Sequence, residues 1–89
     1  MINIDKIEHI YGKSVIESLS FMQEDVIDNL KYFSSLGFES VYDIFERQVL
    51  IFICDHMEFK NKINCLIKKI GINYIDEIES NIGLLDKLL

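Results

Sequence analysis

Apolar side chains recur every three or four residues along almost the whole chain, punctuated by four glycines and no proline. That spacing lines one face of a helix for burial. No stretch alternates apolar and polar residues with period two over a convincing length. A β-sandwich of 89 residues would also need several Gly- and Pro-built turns. The pattern predicts an all-α chain of six or seven short helices, packed as a compact helical bundle in a single domain over residues 1–89.

Ile4, Ile7, Ile10 and Tyr11 fall on one side of a first helix, which Gly12 ends. Ser14 with Glu17 reads as a capping box that opens a second helix carrying Val15, Ile16 and Leu19. A third covers Glu24 to Leu36, with Glu24, Asp25 and Asp28 near its positive end and Gly37 after it. Ser40 or Glu39 opens a fourth. Beyond Gln48 the amphipathic pattern fails. Either that segment is buried all round, or a tight turn tucks Leu50 to Phe52 into the core. Asp55 caps a helix reaching Ile70, and Gly71 stops it. Tyr74, Ile75, Ile78 and Ile82 mark a last helix, interrupted at Gly83.

Gly37 and Gly71 stand 34 residues apart, and their surroundings match. Phe33, Leu36, Ile44 and Leu50 lie over Ile67, Ile70, Ile78 and Leu84, with Leu85 next to the last. A fixed period of this size marks stacked helical units. The units are about 24–55 and 56–89, with an N-terminal helical cap over 1–23. Over residues 24–89 the pattern resembles the repeat of the mitochondrial transcription termination factor (mTERF) family. That repeat is a helix ending L-x-x-L-G, a second helix, then a proline-led turn ending in Leu-Leu. Gln48 or Val49, and Ile82 or Gly83, stand where that family has proline. The resemblance implies α-solenoid-like stacking and nucleic-acid binding along a basic concave face.

The charge balance opposes the second implication. The chain carries fifteen acids against nine bases, a net −6. Such a chain repels phosphate unless its bases cluster. The only cluster is Lys60, Lys62, Lys68 and Lys69, on the predicted helix 60–70. Lys62 and Lys69 share one side of that helix, so nucleic acid is disfavoured but stands as the alternative partner.

No constellation points to catalysis. The seven Ser and two His show no triad spacing, and there is no Gly-rich phosphate loop. Cys54, His56, Cys65 and His9 do not make two ligand pairs, so neither metal nor other cofactor is expected. Cys54 reads as a buried thiol, and the histidines as ordinary surface residues. Cys65 lies among Lys62, Lys68 and Lys69, where ammonium groups favour thiolate, so it is the one candidate reactive thiol.

With 49% apolar residues, a chain this short hides its large side chains with difficulty, and some are expected at an interface. Tyr32, Tyr42 and Tyr74, near helix ends or face borders, are candidate partner contacts. The sequence thus predicts a small acidic, non-catalytic module that binds another protein or itself as a homo-oligomer. Its longest apolar run, Val49 to Cys54, is far short of the roughly 20 residues a membrane helix needs. No basic start followed by an apolar stretch suggests a signal peptide. Two cysteines without framework spacing suggest a cytoplasmic protein.

Overall fold

A computed structural model describes residues 4–89; Met1 to Asn3 of the expected cap and domain lie outside the described residues. Seven α-helices follow in order: α1 (Ile4–Tyr11), α2 (Lys13–Phe21), α3 (Gln23–Ser35), α4 (Val41–Arg47), α5 (Val49–Phe52), α6 (His56–Ile70) and α7 (Tyr74–Ser80). A 3-10 helix, Ile82–Leu88, closes the chain. The described residues contain no strand, and the all-α expectation holds. The described residues hold eight helical segments rather than six or seven, because the segment after Gln48 forms a separate turn and Ile82–Leu88 a separate 3-10 helix.

The failure of the pattern at Gln48 is a real break. Its backbone leaves the helical region at φ −129° and ψ 43°, and α5 restarts as a single turn. That turn drives Phe52 into the centre of the core. Its ring meets Phe33 at 5.4 Å, Phe45 at 5.1 Å and Phe59 at 5.1 Å, bringing α3, α4 and α6 together. Phe33 in turn stacks on Phe38 at 4.2 Å. Leu50, expected beside Phe52 in the core, is 48% exposed. A helix turns about 100° per residue, so Leu50 points roughly opposite to Phe52 while Val49 and Ile51 take the inner flanks.

Two local expectations need correcting. Ser14 does not cap α2: the helix starts one residue earlier, at Lys13, with Gly12 in the N-cap position and no side-chain cap. Ser14 offers only its carbonyl, to Ser18 Oγ. Gly83 does not interrupt a helix either. The break falls at Asn81, φ −143° and ψ 83°, and Gly83 lies inside the 3-10 helix. The first helix also hides less than expected. Ile7 is buried, but Ile4 and Ile10 stay about half exposed.

Gly37 and Gly71 do hold positive φ, 105° and 100°. At Gly71 the ψ of −162° adds an extended turn-out open in practice to glycine alone. Gly71→Ala should therefore cost about 1–3 kcal/mol in a urea titration although its Cβ would meet nothing within 4 Å. Gly37→Ala should also destabilise, because its φ of 105° strains any side chain, whereas the 3.2 Å approach of its Cβ to Ile75 Cδ1 needs only a small shift of a flexible side-chain end. An unchanged midpoint for either variant would contradict these backbone conformations.

The element order of residues 23–52 returns over 56–88: a long helix, a positive-φ glycine, a seven-residue helix and a short closing segment. Ile44 and Ile78 are both buried, as are Ile51 and Leu85. Polar ties join the two halves. Tyr74 Oη donates to Leu36 O at 3.1 Å. Gln48 Nε2 donates to Ile82 O at 3.2 Å and Asp86 Oδ1 at 2.8 Å. At the other end, Tyr11 Oη donates to Arg47 O at 2.7 Å, holding α1 against the last turn of α4.

Candidate functional site

The basic helix α6 is built as its sequence implies. Asp55 accepts from Met57 N at 3.1 Å and Glu58 N at 3.2 Å, satisfying two orphan donors of the first turn. Phe59, Ile63 and Leu66 face the core. The four lysines then separate. Lys60 lies over the Tyr32 ring, 5.3 Å from its centroid. Lys62 pairs with Glu58 at 3.0 Å, and that hydrogen bond holds its ammonium above the ordinary lysine range. Lys68 and Lys69 are exposed. Lys62, Lys69 and Lys87 line one open cavity of about 360 Å3 whose apolar wall includes Leu66 and Leu88.

Cys65 is exposed and lines that same cavity between Lys62 and Lys69. Cys54, expected buried, is half-buried beneath α5, its Sγ 3.6 Å from Ile51 O. Burial pushes the Cys54 thiol above its ordinary range, against a smaller opposing pull from Lys62. Alkylation with iodoacetamide should therefore label Cys65 first at neutral pH, Cys54 gaining only as pH climbs past the ordinary thiol range. Mass mapping that finds Cys54 labelled first would refute this order.

The tyrosines also take separate places. Tyr32 Oη donates to Asn64 Oδ1 at 2.7 Å, Tyr74 is tied to Leu36, and Tyr42 alone is mainly exposed. Phe38 is buried.

His56 is no ordinary surface histidine. Its Nδ1 lies 2.9 Å from Asn29 Oδ1, and Asn29 is fully buried on α3. Asn29 Nδ2 donates to Phe52 O at 2.9 Å and to Cys54 O at 3.0 Å. With the amide nitrogen committed to two carbonyls, its oxygen faces His56, so Nδ1 carries the hydrogen. Asp25 Oδ1 accepts from His56 N at 3.3 Å. Two α3 side chains thus fasten the α5–α6 corner.

An apolar groove runs along α3, and the sequence reading did not locate it. One cavity of about 340 Å3 is lined by Ile4, Ile16, Leu19, Val26, Ile27 and Leu30, among others. A second, of about 350 Å3, shares Ile27 and Leu30 and continues to Val41 and Tyr42. At the other end Ser20 and Gln23 link it to a hollow flanked by Phe21, which is 92% exposed.

No family model, curated protein or solved structure matches this chain.

The groove was hidden because it depends on how the consecutive helices α1 to α4 pack against one another, which the apolar period of each helix does not give. Its one advance signal was Ile27, an apolar residue off the Val26–Leu30–Phe33 stripe of its own helix. Among the described residues no group of three or more His, Cys, Asp or Glu could hold a metal, and no helix is long and apolar enough to cross a membrane.

Proposed function

We propose that this chain is a non-catalytic helical module that works by binding another protein, with the groove along α3 as the contact surface. The observation carrying the reading is the pair of adjoining cavities that share Ile27 and Leu30, with Ile4, Ile27 and Tyr42 all more than 40% exposed along them. Large apolar side chains held open on a rimmed surface are costly in a monomer and typical of an interface. A cytosolic location belongs to the same reading, supported by the two free cysteines. So does a solenoid-like stacking of the two helix–glycine–helix units, supported by their matching element order and by the mTERF-like spacing.

Nucleic-acid binding through α6 is the second reading. In its favour, Lys62, Lys69 and Lys87 share one cavity. Against it, Lys62 is already paired and Lys60 lies on Tyr32. Duplex affinity comes mainly from neutralised phosphates, with a salt slope of about −0.9 per contact, so two or three lysines give only weak, non-specific binding.

One experiment separates the readings. A display library of helical peptides is selected against the chain, then retested on the Ile27→Glu, Tyr42→Glu double variant. Selected peptides should bind the variant at least about tenfold more weakly while its melting temperature holds. Peptides indifferent to both substitutions would remove the groove from the reading. Submicromolar duplex binding at about 0.15 M salt, lost on Lys62→Glu with Lys69→Glu, would favour the second reading.

A further inference from the structure

We infer that the cavity between α6 and the 3-10 helix is a modification site, where Cys65 takes up a small carboxylate-bearing thiol as a mixed disulfide. The site uses other helices than the groove and does not depend on the protein-binding reading. On α6, Lys62 stands three residues before Cys65 and Lys69 four residues after it. At about 100° per residue the three side chains leave the helix within about 60° of one another. The 3-10 helix brings Lys87 and Leu88 to the same cavity, and Leu66 adds a second apolar side chain. Its volume of about 360 Å3 lies in the range of roughly 300–1,000 Å3 usual for small-molecule sites. The exposed thiol therefore shares one cavity with three ammonium groups and a patch of leucine.

Charge selects an anion. Three lysines line the cavity and no acidic side chain does. Glu58 and Asp86, the acids beside it in sequence, are engaged by Lys62 at 3.0 Å and by Gln48 Nε2 at 2.8 Å. The chain-end carboxylate of Leu89, also in the lining, forms no ion pair with any of the three lysines. Among the described residues Lys69 and Lys87 form no ion pair at all. This local balance runs against the net −6 of the whole chain, which by itself favours cationic reagents.

The thiol decides how the anion is held. Exposed lysines in an open cavity retain a small carboxylate only weakly. A covalent bond to Cys65 makes the capture lasting. The co-reactant is a low-molecular-weight disulfide bearing carboxylates. Cys65 gives its proton to solvent, and its thiolate Sγ attacks one sulfur of that disulfide. An Sγ–S bond forms, the original S–S bond breaks, and the other half leaves as a thiolate that solvent protonates. Attack by a reduced thiol on the mixed disulfide returns Cys65 by the same exchange. In the adduct, the lysines face the carboxylates and Leu66 and Leu88 meet the methylene groups.

Three disulfides of similar size test the inference: dithiodipropionate (anionic), hydroxyethyl disulfide (neutral) and cystamine (cationic). Mass mapping follows the rate of adduct formation at Cys65. Each rate is divided by that of N-acetylcysteine amide with the same reagent, which removes the differing reactivity of the leaving thiols. At low ionic strength the corrected rate with dithiodipropionate should exceed that with cystamine at least about fivefold, and the gap should narrow at about 0.3 M salt. Lys69→Gln with Lys87→Gln should erase the preference; both residues are exposed, so the circular dichroism spectrum should not change. Lys13→Gln with Lys31→Gln, which changes the net charge equally at exposed sites outside the cavity, should leave it intact. Equal corrected rates, a cationic preference or no adduct at Cys65 would overturn the inference. So would an anionic preference that survives the loss of Lys69 and Lys87, or one that either pair of substitutions removes equally, because the cavity would then not be its source.

Discussion

Phe52→Ala should lower the unfolding free energy by about 3–5 kcal/mol, the range for deleting a fully buried aromatic ring. The ring has no solvent-facing side into which the site could relax: three other phenylalanines pack on it, from α3, α4 and α6. A domain of this size has about 5–15 kcal/mol in total, so the variant should be largely unfolded in mild denaturant. Phe52→Leu retains most of the volume and should lose much less. Urea titration followed by far-ultraviolet dichroism measures both. A Phe52→Ala midpoint within error of the parent would mean that α5 is not seated where it is described.

Asn29→Ala should be the next most damaging change, at about 3 kcal/mol. It removes two bonds donated to backbone carbonyls and one accepted from His56, each worth about 1 kcal/mol net and more where the partner is left dry. The backbone at Phe52 is buried, so its carbonyl has no water to turn to. A second readout separates lost fastening from lost packing. In the parent, the nitrogen shifts of His56 should report a hydrogen on Nδ1 at high pH; in Asn29→Ala they should drift to the mixed tautomers of a free imidazole. Retention of the Nδ1 tautomer in the variant would show that Asn29 does not orient the ring.

Whatever depends on neighbours in sequence was readable in advance. Gly37 and Gly71 end helices because few other residues take their backbone shapes, and Asp55 caps α6 because its carboxylate reaches donors two and three residues on. Ser14 shows the limit of that logic. A capping box is only a local option, and the turn at Gly12 had already set the start of α2. Leu50 and Phe52 belong to one apolar run, and hydropathy cannot tell which of them a one-turn helix will aim inward. Asn29 lies on the Val26–Leu30–Phe33 stripe, so its burial was predictable from period alone. Its partners, 23 to 27 residues away, were not. The lysines of α6 were visible as a cluster, but only the packed structure ties Lys60 to Tyr32 and brings Lys87 beside Lys62.

The single turn of α5 has a consequence for how the chain comes together. Four residues are far below the roughly 12–15 at which an isolated helix becomes even marginal in water, so α5 has no life of its own. It exists because α3 holds its carbonyl ends through Asn29 while α6 closes over its ring through Phe59. Neither half of the chain can complete its interior alone, since Phe52 leaves the first half and finishes its packing on the second. A stacked-repeat protein can lose a unit and keep the rest standing. Here a cut near residue 55 would strand the central ring on one fragment and its cover on the other, so neither fragment keeps the whole packing of Phe52.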